Sequence, residues 1–252
     1  MFNYEIFEQY FQSEKIKFKI KYIESTNSTN DYSWDLIEKN YISYIDDPII
    51  IITKNQLNGK GQRGNKWFSS QNKSLTFSMI INENKNYDEL LSLKIAVAII
   101  EGIKINTNIN CQLKWPNDIM INNKKIGGVL IEKKGNIIVI GIGINVNEDL
   151  QDINSIIKNK SSSLKMINKT SIPLESLLAN ILNKFESNYC NKNGNKIIEK
   201  WEKYCCHINQ NIQFHKNNKI INGKFLRLKN NGNAIINIDG KSHIITGGMI
   251  SI

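Results

Sequence analysis

Between Gln112 and Ile144 the chain alternates runs rich in apolar and β-branched residues with residues that favour tight turns. This block restricts the fold more than any other part of the sequence. Gln112–Trp115, Asp118–Ile121, Lys125–Glu132 and Asn136–Ile144 are each of strand length, and Asn122-Asn123 and Gly135-Asn136 are turn pairs between them. Links this short join strands as antiparallel neighbours, so the block reads as successive hairpins of one sheet. Just ahead of it, Leu90, Leu93, Val97 and Ile100 recur at helical spacing, which predicts an amphipathic helix over 88–104 with one buried face.

Strands and helices mix along the rest of the chain. Residues 17–23 read as a strand, Ser25 to Asn30 as a polar lead-in and 31–38 as a helix. Pro48 opens a short β-branched strand at 49–53, a polar glycine loop fills 55–66, and 74–81 is a further strand. Leu174, Leu177, Leu178, Ile181, Leu182 and Phe185 form a second helical stripe, with Pro173 near its start and Glu175 in the first turn. A shorter helix is read at 195–204. From about 207 the texture changes to short alternating strands with Asn231-Gly232 and Asp239-Gly240 turns, the pattern of a small β-barrel or sandwich. The expected organisation is an α/β domain over 1–204 and a β domain over 205–252.

With 40% apolar residues in 252, the chain has material for a sizeable core, and global disorder is excluded. No run approaches the roughly 20 apolar residues that span a bilayer. The start, MFNYEIFEQYF, carries acids where a signal peptide carries Lys or Arg, so export is not expected. Cys111, Cys190, Cys205 and Cys206 form no CxxC pair and suit neither a zinc site nor a disulfide framework. A reduced, cytoplasmic protein without membrane contact or a protein-bound metal is expected. The net charge of +10 invites a nucleic-acid reading. Against it, Arg63 and Arg227 are the two arginines among 33 basic residues, and the lysines are spread along the whole chain. The bias toward Ile, Lys and Asn is what an AT-rich genome imposes at permissive positions, so a solvated basic surface is the better reading than a nucleic-acid site.

Gly59-Lys60-Gly61-Gln62-Arg63-Gly64 matches GxGxxG letter for letter. A dinucleotide fingerprint needs a helix opening at the loop, so that its first amides face a pyrophosphate. Here Trp67, Phe68, a polar turn and a β-branched strand follow. The Walker A reading fails as well, because Asn65, Lys66 and Trp67 stand where Lys and a magnesium-binding hydroxyl are required. Two readings stay open for the segment alone: a loop whose amides and basic side chains hold an anion, or a surface turn with incidental charge.

A second cluster bears on that choice. Lys114-Trp115-Pro116-Asn117-Asp118 is followed by Lys125, Gly127, Gly128 and Glu132. A hairpin here brings Lys125 across from Trp115 and Asp118, and the paired glycines leave a bare backbone against which a flat ligand can lie. The plain alternative is a hairpin with solvated Lys124 and Lys125. No Ser-His-Asp or Cys-His set is visible, and His207, His215 and His243 all fall in the C-terminal tail, where they read as surface or packing residues.

KWPNDIMINNKKIGGVLIE, GKGQRGNKW, STND and GIGIN stand in the order and approximate spacing of the biotin protein ligases, which the chain resembles over about 20–252, including WEKY at 201–204 and the closing GGMISI. The resemblance implies a catalytic domain like those of class II aminoacyl-tRNA synthetases and lipoate ligases, followed by a small SH3-like domain. It implies that biotin and Mg-ATP form biotinyl-5′-AMP, and that a lysine of a biotin carboxyl carrier domain then takes the biotinyl group. By position, Ser28, Thr29, Asn30 and Gln56 match the biotin pocket, with Ser25-Thr26-Asn27 as a second, less favoured copy of the STN motif. Lys60, Gly61, Gln62, Gly127 and Gly128 are also expected at biotin. Gly59, Lys60, Arg63, Gly64, Trp67, Asp118 and Asn145 are expected at ATP or the adenylate. Lys125 corresponds to the lysine at the reacting carboxylate and, with Arg63, is the catalytic expectation. Two departures stand out. Many relatives carry arginine at the positions of Lys60 and Gln62, and bifunctional relatives carry a helix-turn-helix domain ahead of the catalytic one, so repressor activity is not expected. A homodimer is compatible with the family. The competing readings are a lipoate or octanoate ligase and a basic nucleic-acid-binding module.

Overall fold

A computed structural model describes residues 2–39, 45–83, 88–216 and 219–251; Ile252, the last residue of the GGMISI run, lies outside them. The chain runs through α1 (Tyr4–Tyr10), β1 (Lys19–Thr26), α2 (Thr29–Glu38), β2 (Ile49–Gln56), the short pair β3 (Gly59–Lys60) and β4 (Lys66–Trp67), and β5 (Ser74–Asn82). Next come α3 (Leu91–Thr107), β6 (Gln112–Lys114), β7 (Asp118–Ile121), β8 (Lys124–Lys134) and β9 (Ile137–Asn145). After α4 (Leu164–Asn168), α5 (Leu174–Tyr189) and α6 (Gly194–Tyr204) the chain closes with β10 (Asn211–Lys216), β11 (Lys219–Leu228), β12 (Ala234–Ile238), β13 (Lys241–Ile245) and β14 (Met249–Ser251).

The main sheet has the order β1-β2-β5-β9-β8-β7-β6. The β1–β2 pair is parallel and the others are antiparallel, so the sheet is mixed. The hairpins expected from the sequence are present. Asn122 and Asn123 both take positive φ, 48° and 61°, the conformation a two-residue β-turn of the hairpin type needs and that Asn tolerates. The β7–β8 register slips by one residue between Ile119 and Met120, so Lys125 pairs with Met120 while Asp118 pairs with Gly128.

Alternation along the central strands sorts the two faces. Ile50, Ile52, Leu75, Phe77, Met79, Ile138 and Ile140 bury in the main core with α3 and α5. Ile51, Ile80 and Val139 turn the other way, against Trp34 and Leu36 of α2. On that second face β5 also presents Ser74, Thr76 and Ser78, all buried.

The α3 expectation is corrected in one respect. Rather than one buried face, the helix buries Leu91, Leu93, Lys94, Ile95 and Ala96 in near succession, because the sheet covers one side while α5 and α6 cover others. Lys94 is accommodated by Asp88 at 2.7 Å and by donating to the Tyr189 carbonyl at 3.2 Å. The short helices α1 and α4 were not anticipated, although each has a capping side chain: Asn3 accepts from Ile6 N and Ser163 from Met166 N.

The C-terminal strands form a separate antiparallel sheet, β13-β12-β11-β10-β14, with the expected Asp239-Gly240 turn between β12 and β13, consistent with a small SH3-like unit. Its junction with the rest is built on His207, fully buried, edge-on to Phe225 at 4.4 Å and to Trp201 at 6.3 Å between ring centroids. Burial pushes the His207 imidazole down to about 4. Trp115 Nε1 donates across the same junction to the Gly232 carbonyl at 3.3 Å.

Candidate active site

A cavity of about 190 Å³ opens on the α2 face of the main sheet. It exists because the strands beneath are stripped of bulk there: Gly141 and Gly143 on β9 and Gly128 on β8 form its floor with Thr76. A Cβ at Gly141 would overlap the Asn30 side-chain oxygen, and one at Gly143 the indole of Trp67.

One end is lined by uncharged hydrogen-bonding side chains, with Lys60 beside them in its ion pair with Asp31. Ser28 caps α2 by accepting from Asp31 N at 3.4 Å, which points the first turn, Thr29 and Asn30, into the cavity. The later copy of the STN motif is thus the one at the cavity, while Ser25 and Thr26 pair with β2. Gln56, at the end of β2, accepts the Thr29 backbone N–H at 2.8 Å. Behind them Ser78 Oγ lies 2.7 Å from Thr29 Oγ1 and 2.6 Å from Asn30 Oδ1.

The other end is cationic. Lys125 is held by its backbone, which donates to Lys160 O at 2.8 Å and accepts from Ser162 N at 3.0 Å. Its ammonium sits 2.5 Å from Asp118 Oδ1. Lys125 Cε and Nζ lie 3.3 Å from where a Cβ on Gly128 would stand, so Gly128 leaves room for this lysine as well as for a ligand. Asn117 Nδ2 donates to Val129 O at 2.5 Å and ties the WPND turn, with its cis Trp115–Pro116 bond, onto β8. Lys114 lines the cavity beside it.

The glycine loop is a small hairpin, with Gly59 paired to Trp67 and Gly61 N donating to Asn65 O at 2.7 Å. No helix of phosphate-binding length opens there. Arg63 sits at φ 56° and donates from Nη2 to the carbonyl of Gly248, in the C-terminal sheet region, at 2.5 Å. Met249 and Ile250 complete that wall. Lys60 pairs with Asp31 at 2.6 Å, and this hydrogen bond raises its pKa above the ordinary lysine value. Trp67 Nε1 and Thr76 Oγ1, on two residues that line the cavity, are buried with no hydrogen-bond partner.

Of the residues singled out in the sequence, Ser28, Thr29, Asn30, Gln56, Lys60, Gly61, Gln62, Arg63, Trp67, Asp118, Lys125 and Gly128 line this one cavity. Four do not. Gly59 and Gly64 border a groove on the outer side of the loop with Leu57 and Glu132. Gly127 faces away, where a Cβ would meet the Gly143 carbonyl at 2.9 Å. Asn145 lines a smaller cavity further along β9, with Phe68, Ser70 and Glu148, and donates to Ser162 O at 3.0 Å. Burial lifts the Glu148 carboxyl to about 7, against the pull of a Ser74 hydroxyl that donates to it. Sequence reasoning missed Thr76 and Ser78 and read Gly141 and Gly143 only as part of the GIGIN run, although the spacing of two along each strand was a usable signal of one small-residue face. It missed Met249 and Ile250 with no local signal at all. Among the described residues no cluster of three or more His, Cys, Asp or Glu is placed to hold a metal ion, and no helix is long and apolar enough to cross a membrane.

A mixed sheet backed by two long helices, with a cavity on its other face, is the architecture of the biotin ligase fold. The model of the biotin/lipoate A/B protein ligase family matches residues 22–149, and the chain belongs to that family. The bifunctional ligase/repressor BirA of Bacillus subtilis is 30% identical over 193 residues, covering 73% of this chain and 59% of the relative. The chain therefore spans about three-fifths of such curated relatives. The biotin protein ligase of Aquifex aeolicus, solved with biotin and ATP, superposes with a TM-score of 0.80 at 27% identity, covering 92% of this chain and 97% of that one. The Helicobacter pylori biotin acetyl coenzyme A carboxylase synthetase, with a TM-score of 0.67 at 24% identity over 90% of this chain and 100% of that one, shares the fold.

Proposed function

We propose that the protein is a biotin–[acetyl-CoA-carboxylase] ligase, which joins biotin to ATP as biotinyl-5′-AMP and passes the biotinyl group to one lysine of a biotin carboxyl carrier domain. The observation that carries this reading is the polarity of the cavity. Four uncharged hydrogen-bonding side chains (Ser28, Thr29, Asn30, Gln56) lie at one end, beside Lys60 whose charge is paired with Asp31, and Lys114 and Lys125 at the other, across a glycine floor. That suits a ligand with a neutral urea ring at one end and a carboxylate at the other.

In the first step the carboxylate oxygen attacks the α-phosphorus and diphosphate leaves. Two anions must meet, and at about 4 Å with an effective dielectric near 20 each unit repulsion is on the order of 4 kcal/mol. The Lys125 ammonium, fixed by Asp118, offsets that repulsion and stabilises the charge that builds in transfer. Mg²⁺ accompanies ATP as part of the substrate and supplies further charge neutralisation on the phosphates. The loop around Arg63 covers the adenylate and keeps water from the mixed anhydride. In the second step an acceptor lysine, as free amine, attacks the acyl carbon, AMP leaves, and the amine loses a proton.

The family also contains lipoate ligases. A dithiolane ring offers no N–H or C=O, so a lipoate site has no use for the four polar groups gathered at one end here. ATP–pyrophosphate exchange with biotin, lipoate and octanoate separates the readings, and intact mass of a carrier domain incubated with the protein, biotin and Mg-ATP tests transfer. Biotin-dependent exchange and a single biotinyl addition are expected. Exchange with lipoate or octanoate in preference to biotin overturns the proposal, as does tight nucleic-acid binding with no exchange at all.

A further inference from the structure

One carboxylate determines the direction of a chain of hydrogen bonds at the polar end of the cavity. Glu132 Oε2 accepts from Asn30 Nδ2 at 2.8 Å and from Trp34 Nε1 at 3.1 Å. An ionised carboxylate only accepts, so Asn30 turns its NH₂ to Glu132 and its oxygen to Ser78. That oxygen also only accepts, and the single hydroxyl proton of Ser78, 2.6 Å away, is committed to it. The 2.7 Å contact between Ser78 Oγ and Thr29 Oγ1 is then left with one proton, that of Thr29. Thr29 gives it to Ser78. Gln56 Oε1 accepts the Thr29 backbone N–H at 2.8 Å and, at 3.3 Å, is a more distant acceptor for the Thr29 hydroxyl than Ser78 at 2.7 Å. Ser78 is fully buried and does not line the cavity, so water does not supply it with alternative partners.

We propose that Glu132, which does not line the cavity, is a positioning residue that orients the Asn30–Ser78–Thr29 chain so that the Thr29 oxygen meets the ligand only as an acceptor. The site therefore demands an N–H at that point, which one N–H of the biotin urea ring provides; this last clause rests on the function proposed above. A ring carbamate, with that N–H replaced by oxygen, sets lone pair against lone pair. Removing the Glu132 acceptor lets the Asn30 amide turn over. Its NH₂ then donates to Ser78, Ser78 donates to Thr29, and the Thr29 proton is free to turn to Gln56 Oε1 or to a ligand in the cavity. The demand for N–H disappears.

The test measures binding of biotin and of its two ring-carbamate analogues to the full chain by calorimetry, for wild type, Glu132→Leu, Glu132→Gln and Ser78→Ala. Wild type should favour biotin over at least one carbamate by about tenfold or more, the scale of one well-made hydrogen bond against an unpaired buried group. Glu132→Gln keeps an accepting oxygen and should keep the ratio. Glu132→Leu should bring it to within about threefold, and so should Ser78→Ala, which breaks the chain without touching Glu132 and serves if the leucine variant does not fold. An unchanged ratio in both overturns the proposal, and so does equal binding of all three ligands by wild type. The Asn30 side-chain amide resonances, followed without ligand, give a second readout. They should shift and lose exchange protection in Glu132→Leu, and identical resonances overturn the relay whatever the ligand. Wild type that binds no biotin overturns the function and the urea assignment, while the Asn30 resonances still decide the relay.

Discussion

Lys125 and Asp118 meet at 2.5 Å with side chains 37% and 27% exposed, so solvent screens the pair and its share of folding stability is small. What the pair fixes is the place of a cation. Lys125→Ala should cut biotin-dependent pyrophosphate exchange by roughly 2–4 kcal/mol in the barrier, the loss expected for one oriented charge donor. Its urea unfolding midpoint should stay close to wild type; near-normal exchange would make Lys125 an ordinary hairpin lysine. Glu148 behaves differently because it is buried. Its carboxyl is lifted from 4.5 to about 7, so the folded state holds the proton more tightly than the unfolded chain. The stability this represents is fully present below about 4.5 and is lost as pH rises through about 7. Glu148→Gln should therefore match wild type near pH 4 and exceed it above pH 8 by on the order of 3 kcal/mol. Parallel stability–pH curves for the two proteins would refute this.

The elements show how neighbours override local preference. Gly102 lies in α3, where alanine ordinarily gains about 1 kcal/mol in helix propensity. A Cβ there would stand 2.7 Å from Ile181 Cγ1 and 2.9 Å from Ile181 N and Cα, all in α5. Backbone atoms cannot swing aside, and overpacking of this kind costs roughly 1–3 kcal/mol or more. Gly102→Ala should lower the urea midpoint with little change in slope, and a raised midpoint would show that the two helices separate without penalty. The glycine loop repeats the lesson. Its letters fit a helix-opening phosphate loop, yet β3 and β4 close it as a hairpin, because the residues after it pair in strands instead of opening a helix.

On the scale of the whole molecule, His207 links the two sheets. Its pKa is depressed from 6.5 to about 4, so its neutral form is the one that packs against Trp201 and Phe225. That contribution is intact above about 6.5 and is lost as pH falls through about 4. Glu148 works in the opposite sense over much of the same range, so the wild-type profile should be flatter than either single variant reveals. Relative to wild type, His207→Phe should shift the change in stability between pH 7 and pH 4.5 by about 2–3 kcal/mol in favour of the acid side, read from urea melts at the two pH values. A pH dependence equal to that of wild type would place the acid-sensitive group elsewhere.

Much of the architecture is local in origin. The hairpins around Asn122-Asn123 and Asp239-Gly240, the helix over 174–185 and the sorting of strand faces all follow from preferences acting over a few residues. The cavity's motifs were legible for the same reason: STN, KWPND and GIGIN are short, and each stays together at a strand or helix end. Other features required the folded chain. The one-residue slip at Ile119 decides which residues face Lys125. Arg63 meets the Gly248 carbonyl 185 positions away, and Asn30 meets Ser78 and Glu132 from separate elements. The physical difference is one of range: turn and helix preferences are properties of a residue and its immediate neighbours, whereas the occupant of a buried space, and the direction of a proton within it, depends on groups that only tertiary packing brings together.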